Sequence, residues 1–325
     1  MVDPLGRTID YLRVSVTDRC NLRCIYCMPS GGVGWMPHNE IMRFEELLTA
    51  CRVLAALGIR SVKVTGGEPL VRRGVVDFIG ELKAVSGIER VSLTSNGILL
   101  GQYLPALAAA GLNAVNVSLD TLDDTKYMML TRSEAPVNIL PALDQALELG
   151  LNVKVNCVPL RGYNEDDIVR LADLARNKKI TVRFIELMPL GAAAMLEPVP
   201  ASEVISLIEK AYGSMQASAV KLGNGPASYY TLPGFAGHIG LISAVSHGFC
   251  ESCNRLRLTA SGILKPCLSS DLGFDIRSLV RSGASAQAME SAVHEMVAKK
   301  PAGHSFGGVR EKRDHGNKAM FRIGG

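Results

Sequence analysis

Residues 11–27 read Tyr-Leu-Arg-Val-Ser-Val-Thr-Asp-Arg-Cys-Asn-Leu-Arg-Cys-Ile-Tyr-Cys, a short alternating segment that runs into three closely spaced cysteines. Leu12, Val14 and Val16 alternate with Arg13, Ser15 and Thr17, the period-two pattern of a strand with one apolar and one polar face. Further strands are expected at Ser61–Thr65, Arg90–Ser95, Asn113–Leu119, Asn152–Val158 and Thr181–Leu187, and most repeat the pattern. Helical stretches such as Phe44–Leu57, Ile139–Leu149 and Glu165–Arg176 lie between them, and Gly58, Gly87, Gly111 and Gly150 stand where helices should stop. Such strand–helix alternation argues for a parallel sheet with helices packed outside. Parallel strands covered on both faces should be apolar nearly throughout. Here Lys63, Thr65, Ser92, Thr94, Asn116, Ser118, Lys154 and Asn156 take alternate places. Helices need the apolar face, so the polar face must line a hydrated or ligand-filled interior. A curved, incompletely closed barrel meets that requirement better than a flat doubly wound sheet.

Cys20, Cys24 and Cys27 are spaced C-x3-C-x2-C. Thiolates are soft ligands, and three of them are one short of the set that closes a structural zinc or an electron-transfer cluster. A four-iron cluster on three cysteines leaves one iron open to a small molecule. Zinc with a fourth ligand from elsewhere stays open on spacing alone. A second trio follows: Cys250 and Cys253 form C-x2-C, and Cys267 lies fourteen positions on. His247, three residues before Cys250, leaves a Cys3His zinc site open there. Asn254 to Thr259 reads Asn-Arg-Leu-Arg-Leu-Thr, which puts Arg255 and Arg257 on one strand face beside the metal. Guanidinium groups there suit phosphate recognition, or else balance the charge of the thiolates. Cys51 and Cys157 continue apolar patterns and read as core residues.

With 325 residues the chain is long for one domain and comfortable for two. Gly223-Asn224-Gly225-Pro226 reads as a linker, dividing residues 1–222 from a smaller part at 223–325. After it come strand-like pieces at Ser228–Leu232, His238–Ile242 and Leu256–Thr259, and helices near Ile276–Arg281 and Ser285–Ala298. The segment from Lys299 is Gly-rich, charged and aperiodic, the composition of a disordered tail. Hydrophobic content of 47% and charged content of 20% are globular values. A net charge of +4 is too small to argue for nucleic acid or a membrane. No apolar leader opens the chain and no apolar run reaches membrane-spanning length, so a cytoplasmic location is expected. Clustered cysteines without a leader favour metal binding in a reducing compartment. Four cations fall on the polar strand face, Arg13, Lys63, Lys154 and Arg183, and suggest an anionic substrate. The chain has no G-x4-G-K-[ST] loop, so any nucleotide phosphates must be held by those cations.

The cysteine triplet with Tyr26 before its third member, and Gly66-Gly67-Glu68-Pro69 downstream, resemble the radical S-adenosylmethionine (SAM) enzymes. Across nearly the whole chain the sequence resembles one family within them, the GTP 3′,8-cyclases of molybdenum-cofactor biosynthesis. That likeness runs through RVSVTDRCNLRCIYCMP (13–29), KVTGGEPLVRR (63–73), LTSNG (93–97), NVSLD (116–120) and NVKVN (152–156). It continues in RFIELMP (183–189), FCESCNRLRLTASGILKPCL (249–268) and the terminal Ile323-Gly324-Gly325. The resemblance implies an open, incomplete (βα)6, TIM-like barrel with a C-terminal iron–sulfur cluster-binding extension. It implies two [4Fe–4S] clusters, on Cys20, Cys24 and Cys27 and on Cys250, Cys253 and Cys267, with SAM as the other cofactor. Tyr26, Gly67, Glu68, Ser118 and Met188 would serve SAM; Arg13, Lys63, Thr94, Lys154, Arg255 and Arg257 would contact GTP. Arg255, Arg257 and the tail residues Gly324 and Gly325 would serve catalysis, the tail by threading into the site. The implied reaction abstracts H3′ of GTP by a 5′-deoxyadenosyl radical and joins C3′ to C8, giving 3′,8-cyclo-7,8-dihydro-GTP. A flavodoxin or ferredoxin would supply electrons, and cyclic pyranopterin synthase would take the product. Neither nucleic acid nor membrane is implied, and a homodimer is left open.

Two other functions are compatible with parts of the pattern. A peptide-modifying radical SAM enzyme with an auxiliary cluster would usually carry more than the three downstream cysteines present. A zinc- or iron–sulfur-binding transcriptional regulator would want a helix-turn-helix or a concentrated basic face, and neither is evident.

Overall fold

The computed structural model describes residues 1–29, 31–220, 222–304 and 306. Six strands form in the places expected from alternation: β1 (Tyr11–Ser15), β2 (Ser61–Thr65), β3 (Arg90–Ser95), β4 (Ala114–Ser118), β5 (Asn152–Cys157) and β6 (Ile180–Ile185). They pair in parallel and in sequence order. Between and after them run α1 (Phe44–Ala56), α2 (Val75–Lys83), α3 (Leu100–Ala109), α4 (Asp124–Thr131), α5 (Leu140–Glu148), α6 (Ile168–Asp173) and α7 (Ala201–Tyr212). The helix expected at Glu165–Arg176 is shorter. It opens as a 3-10 turn at Glu165–Asp167, and Leu174, Ala175 and Arg176 donate to carbonyls three residues back, which tightens its end.

The chain after α7 joins this sheet at both ends. It adds β7 (Gln216–Ser218), β8 (Ser228–Thr231), β9 (His238–Ile242), β10 (Arg255–Leu258), β11 (Ile263–Lys265) and β12 (Phe274–Asp275), with α8 (Ile276–Arg281) and α9 (Ala286–Ala298). Strand β10 pairs in parallel with β1, and β9 in parallel with β6. The sheet order is β12-β11-β10-β1-β2-β3-β4-β5-β6-β9-β8-β7, with β12 and β7 at its two ends, so the barrel is open. The Gly223–Pro226 segment is not an extended linker: it lies in the turn of the β7–β8 hairpin. There Asn224 donates to Ser61 Oγ at 2.8 Å, and Lys154 Nζ donates to the Leu222 carbonyl, so the turn folds back onto the strands. The segment from Lys299 also starts in order, since Lys300 is buried, although Gly324 and Gly325 lie outside the described residues.

The alternation sorts the two faces as anticipated. Leu12, Val14, Val62, Val64, Leu256 and Leu258 point outward into one continuous core with α1, α2 and their neighbours, as do Cys51 and Cys157. Polar residues point inward in register. Arg257, Arg13, Lys63 and Ser92 are successive partners across β10, β1, β2 and β3; Thr94, Asn116, Lys154 and Thr181 are partners across β3 to β6. Gly67 marks a close backbone approach: its N–H donates to the Thr17 carbonyl at 2.7 Å. A Cβ there would sit 2.4 Å from the Arg19 carbonyl oxygen, so only glycine lets the loop after β2 lie against the loop carrying Cys20.

Candidate functional site

The loops at the C-terminal ends of the parallel strands gather the first site, as expected for a barrel of this kind. Cys20, Cys24 and Cys27 lie in the loop after β1 as half-buried thiols. Cys27 and Met28 both donate backbone N–H groups to the Cys24 carbonyl, which turns the chain, and buried Met28 packs beneath Cys20 and Cys27. Asn96 Nδ2 lies 3.8 Å from Cys20 Sγ. Tyr26 donates its hydroxyl to Asp120 Oδ2 at 2.7 Å, linking the cysteine loop to the loop after β4. Asn164 in turn donates to the Asp120 carbonyl at 2.7 Å and holds that loop. Ser118 and Asp120 share a small cavity with Cys24, Tyr26 and Tyr127, whose buried hydroxyl has no hydrogen-bond partner among the described residues.

Glu68 is buried, and its carboxylate staples two loops together. It accepts from Leu70 N at 3.1 Å, Ser95 Oγ at 2.9 Å and Asn96 N at 2.7 Å. Burial still lifts it to about 7, and lifts Asp120 to about 6. The same loss of solvent pushes the Cys20 thiol up and the Cys24 thiol well up, the latter helped by Cys27. Thiolates in such a place need positive charge beside them, which cluster iron supplies. Among the described residues no three metal-ligating side chains close around a single ion. Three soft thiol donors gathered in one loop fit an iron–sulfur cluster that they would hold together.

The second trio lies at the opposite, N-terminal end of the strands. Cys250 opens a 3-10 turn, Cys253 precedes β10, and Cys267 follows β11. His247 is exposed and faces Ser246 Oγ at 3.2 Å. Burial would raise Cys253, but the Arg255 guanidinium and the Lys300 ammonium outweigh it and bring the thiol down to about 7. The two trios therefore differ electrically: burial dominates at the first, beside Glu68, Asp120 and Arg23, whereas cations dominate at the second.

Between them lies the lumen. Arg13, Lys63, Lys154, Arg183 and Arg257 all line it, with Arg255 stacked over the Phe249 ring at 4.6 Å. Burial, then the charges of Arg183, Arg13, Lys154 and Arg255, push Lys63 well below the ordinary lysine range. Burial and then Arg183 bring Lys154 down to about 8. Burial, then Arg13 and Arg255, lower Arg257. Arg183 is oriented by Asn116 Oδ1 at 2.6 Å and by Asn156 Oδ1, and Gly240 beside it leaves the space its side chain fills. Among the described residues no carboxylate forms a salt bridge with Lys63, Lys154 or Arg183. Thr94 shares the row of Asn116 and Lys154. Met188 packs with Leu190, Leu268 and Phe306, toward the segment that carries Cys267 rather than with Met28, Cys20 and Cys27.

Sequence reasoning passed over Asn96, Asp120, Asn164 and Tyr127, although Asn96 and Asp120 stand inside stretches that carry the family likeness. Asn164 and Tyr127 left no signal, because their role is set by loops meeting in space. Lys300 and Arg7 were hidden in segments without periodicity.

Comparison with known proteins places this geometry. The Radical SAM superfamily pattern matches residues 14–175, and the Molybdenum Cofactor Synthesis C pattern matches residues 180–306. A GTP 3′,8-cyclase of Pelotomaculum thermopropionicum is 43% identical over 330 residues, covering 100% of both chains. Those of Moorella thermoacetica and Clostridium perfringens are 44% and 40% identical, also over 100% of both chains. Among solved structures, Streptococcus suis SuiB bound to S-adenosylmethionine superposes with a TM-score of 0.62, covering 95% of this chain and 76% of that one. At 13% identity it shares the fold alone. Identity of this degree over the full length settles the family: the chain belongs to the GTP 3′,8-cyclases, radical SAM enzymes of molybdenum-cofactor biosynthesis, with two [4Fe–4S] clusters and SAM as cofactors.

Proposed function

We propose that the cationic lumen takes the triphosphate of GTP and presents its ribose to the SAM end of the barrel and its guanine to the second cysteine trio. The observation that carries this division is the in-register row Arg257–Arg13–Lys63, joined by Lys154 and Arg183, between two cysteine trios at opposite strand ends. Bound with its cluster, SAM supplies a 5′-deoxyadenosyl radical, and the chain's own residues do the rest. Cys20, Cys24 and Cys27 would hold the first cluster; Gly67, Ser118, Tyr26 and Met188 would border SAM, with Glu68 setting the loop that carries Gly67. Tyr26, fixed by Asp120, orients the cysteine loop. Arg13, Lys63, Lys154, Arg255 and Arg257 would bind phosphates, Thr94 would meet the nucleoside, and Cys250, Cys253 and Cys267 would hold the second cluster. The lumen wall excludes water from the ribose once the nucleotide is seated.

In this scheme residues 1–222 generate the radical and residues 223–325 complete the substrate site. A flavodoxin or ferredoxin delivers electrons one at a time, and cyclic pyranopterin synthase takes the product. Eight cysteines with no disulfide among the described residues suit a reducing cytoplasm, and no helix among the described residues is long and apolar enough to cross a membrane. Gly324 and Gly325 would enter the lumen, where a chain end without side chains fits beside the nucleotide. Deleting both should leave iron content unchanged and abolish cyclised product; wild-type turnover would remove the tail from the mechanism.

Arg255→Ala and Arg257→Ala should each weaken GTP binding by roughly tenfold to a hundredfold, the worth of one charge-assisted phosphate bond. Unchanged binding and turnover in both would leave these arginines as balancing charge for the thiolates.

Lys154 gives the pH dependence its sign. In the empty lumen its ammonium is lost above about pH 8, whereas bound phosphate favours the ammonium form. Below that pH the group is already charged and takes up no proton on binding. Above it, GTP binding should take up a proton and weaken by up to about tenfold per pH unit. Calorimetry at about pH 8.5 in buffers of different ionisation enthalpy reads the uptake; no uptake would contradict the placement of phosphate beside Lys154.

A further inference from the structure

Two buried cations outside the lumen join the segments that carry the second cysteine trio. Lys300 follows α9, and its backbone N–H ends that helix on the Val297 carbonyl. Its ammonium has three donors. One reaches the Arg255 carbonyl at 2.8 Å and one the Pro266 carbonyl at 2.6 Å. These carbonyls belong to the strand after Cys253 and to the residue before Cys267. The ammonium also faces the thiols of both cysteines, with Cys253 the nearer partner.

Arg7 completes the arrangement from the other end of the chain. Buried beside Asp3, it bonds Oδ2 of that carboxylate through Nε. Its two terminal nitrogens donate to the carbonyls of Cys250 at 2.9 Å, Pro301 at 2.9 Å, Lys300 at 3.3 Å and Ala302 at 3.4 Å. All three cysteine-bearing arms are thus tied to one crossing point of the chain's first and last described segments. Arg7 has Asp3 as its counter-charge. Among the described residues no carboxylate pairs with Lys300, although it is 6% exposed. A buried ammonium is costly without an anion. The negative charge that three thiolates bring to a cluster is the one charge of the right sign and place.

We propose that Lys300 is the positioning residue and counter-ion of the second cluster: it locks the Cys253 and Cys267 arms through backbone carbonyls and stabilises the cluster's reduced, more negative state. The proposal rests on the second trio holding a four-iron cluster. A buried positive charge favours the added electron, so removing it should make the midpoint of that cluster more negative.

Anaerobically reconstituted full-length protein is the material for the test, with iron and sulfide analysis and an EPR-monitored redox titration. Wild type should carry about eight irons. Lys300→Met, which has neither charge nor donors, should carry about four and still cleave SAM reductively. Lys300→Gln keeps a neutral donor. It should retain about eight irons, with the second cluster's midpoint shifted negative and the first cluster's unmoved. Full iron and an unshifted midpoint in Lys300→Gln would overturn the proposal, whatever the yield of Lys300→Met. About four irons in wild type would instead overturn the two-cluster reading on which it rests.

Discussion

Like charges on neighbouring strands repel, and here Arg257, Arg13 and Lys63 sit directly beside one another on β10, β1 and β2. Lys154 and Arg183 face the same lumen, and burial strips solvent from Arg257, Lys63, Lys154 and Arg183, while Arg13 is half-buried. Opposite such a row a protein interior usually places carboxylates; among the described residues none pairs with Lys63, Lys154 or Arg183. The repulsion is electrostatic, and the triphosphate proposed for the lumen would relieve it. Everything else in the sheet follows from keeping those side chains inward: strict alternation, an apolar outer face fully covered by helices, and a barrel left open for a ligand of nucleotide size.

The two ends of the lumen are set up differently. At the C-terminal strand ends the thiols of Cys20 and Cys24 are pushed up by burial. At the other end Cys253 is held down to about 7 by Arg255 and Lys300, against the effect of burial. At the first end burial outweighs the Arg23 guanidinium beside Cys20, while at the other end the cations outweigh burial. Loops after four successive strands make the first site, joined by Tyr26–Asp120 and by the Glu68 staple. The second site is made where the first and last described segments cross, through Arg7 and Lys300.

Much of this was legible in residue order. Period-two alternation located the six inner strands within a residue or two, because burial on one side only leaves polar residues at every second place. The cysteine trios and the Arg255–Arg257 pair were legible because metal and phosphate chemistry demands particular side chains at close spacing. The Gly223–Pro226 stretch misled, since turn residues look alike whether they join domains or close the β7–β8 hairpin. Lys300 was hidden for a related reason: a single buried lysine after a helix has no pattern, and its partners lie 34 and 45 positions away. Asp120 and Asn164 act by bracing loops, which no local spacing reports.

The central claim is that the lumen cations recognise a triphosphate. Its most direct test is anaerobic calorimetry of guanosine, GDP and GTP with the reconstituted enzyme at one ionic strength. Affinity should rise with each phosphate, by on the order of tenfold or more per step, as charge-assisted bonds are added. Equal affinities across the three would contradict it and leave the row Arg257–Arg13–Lys63 without its ligand.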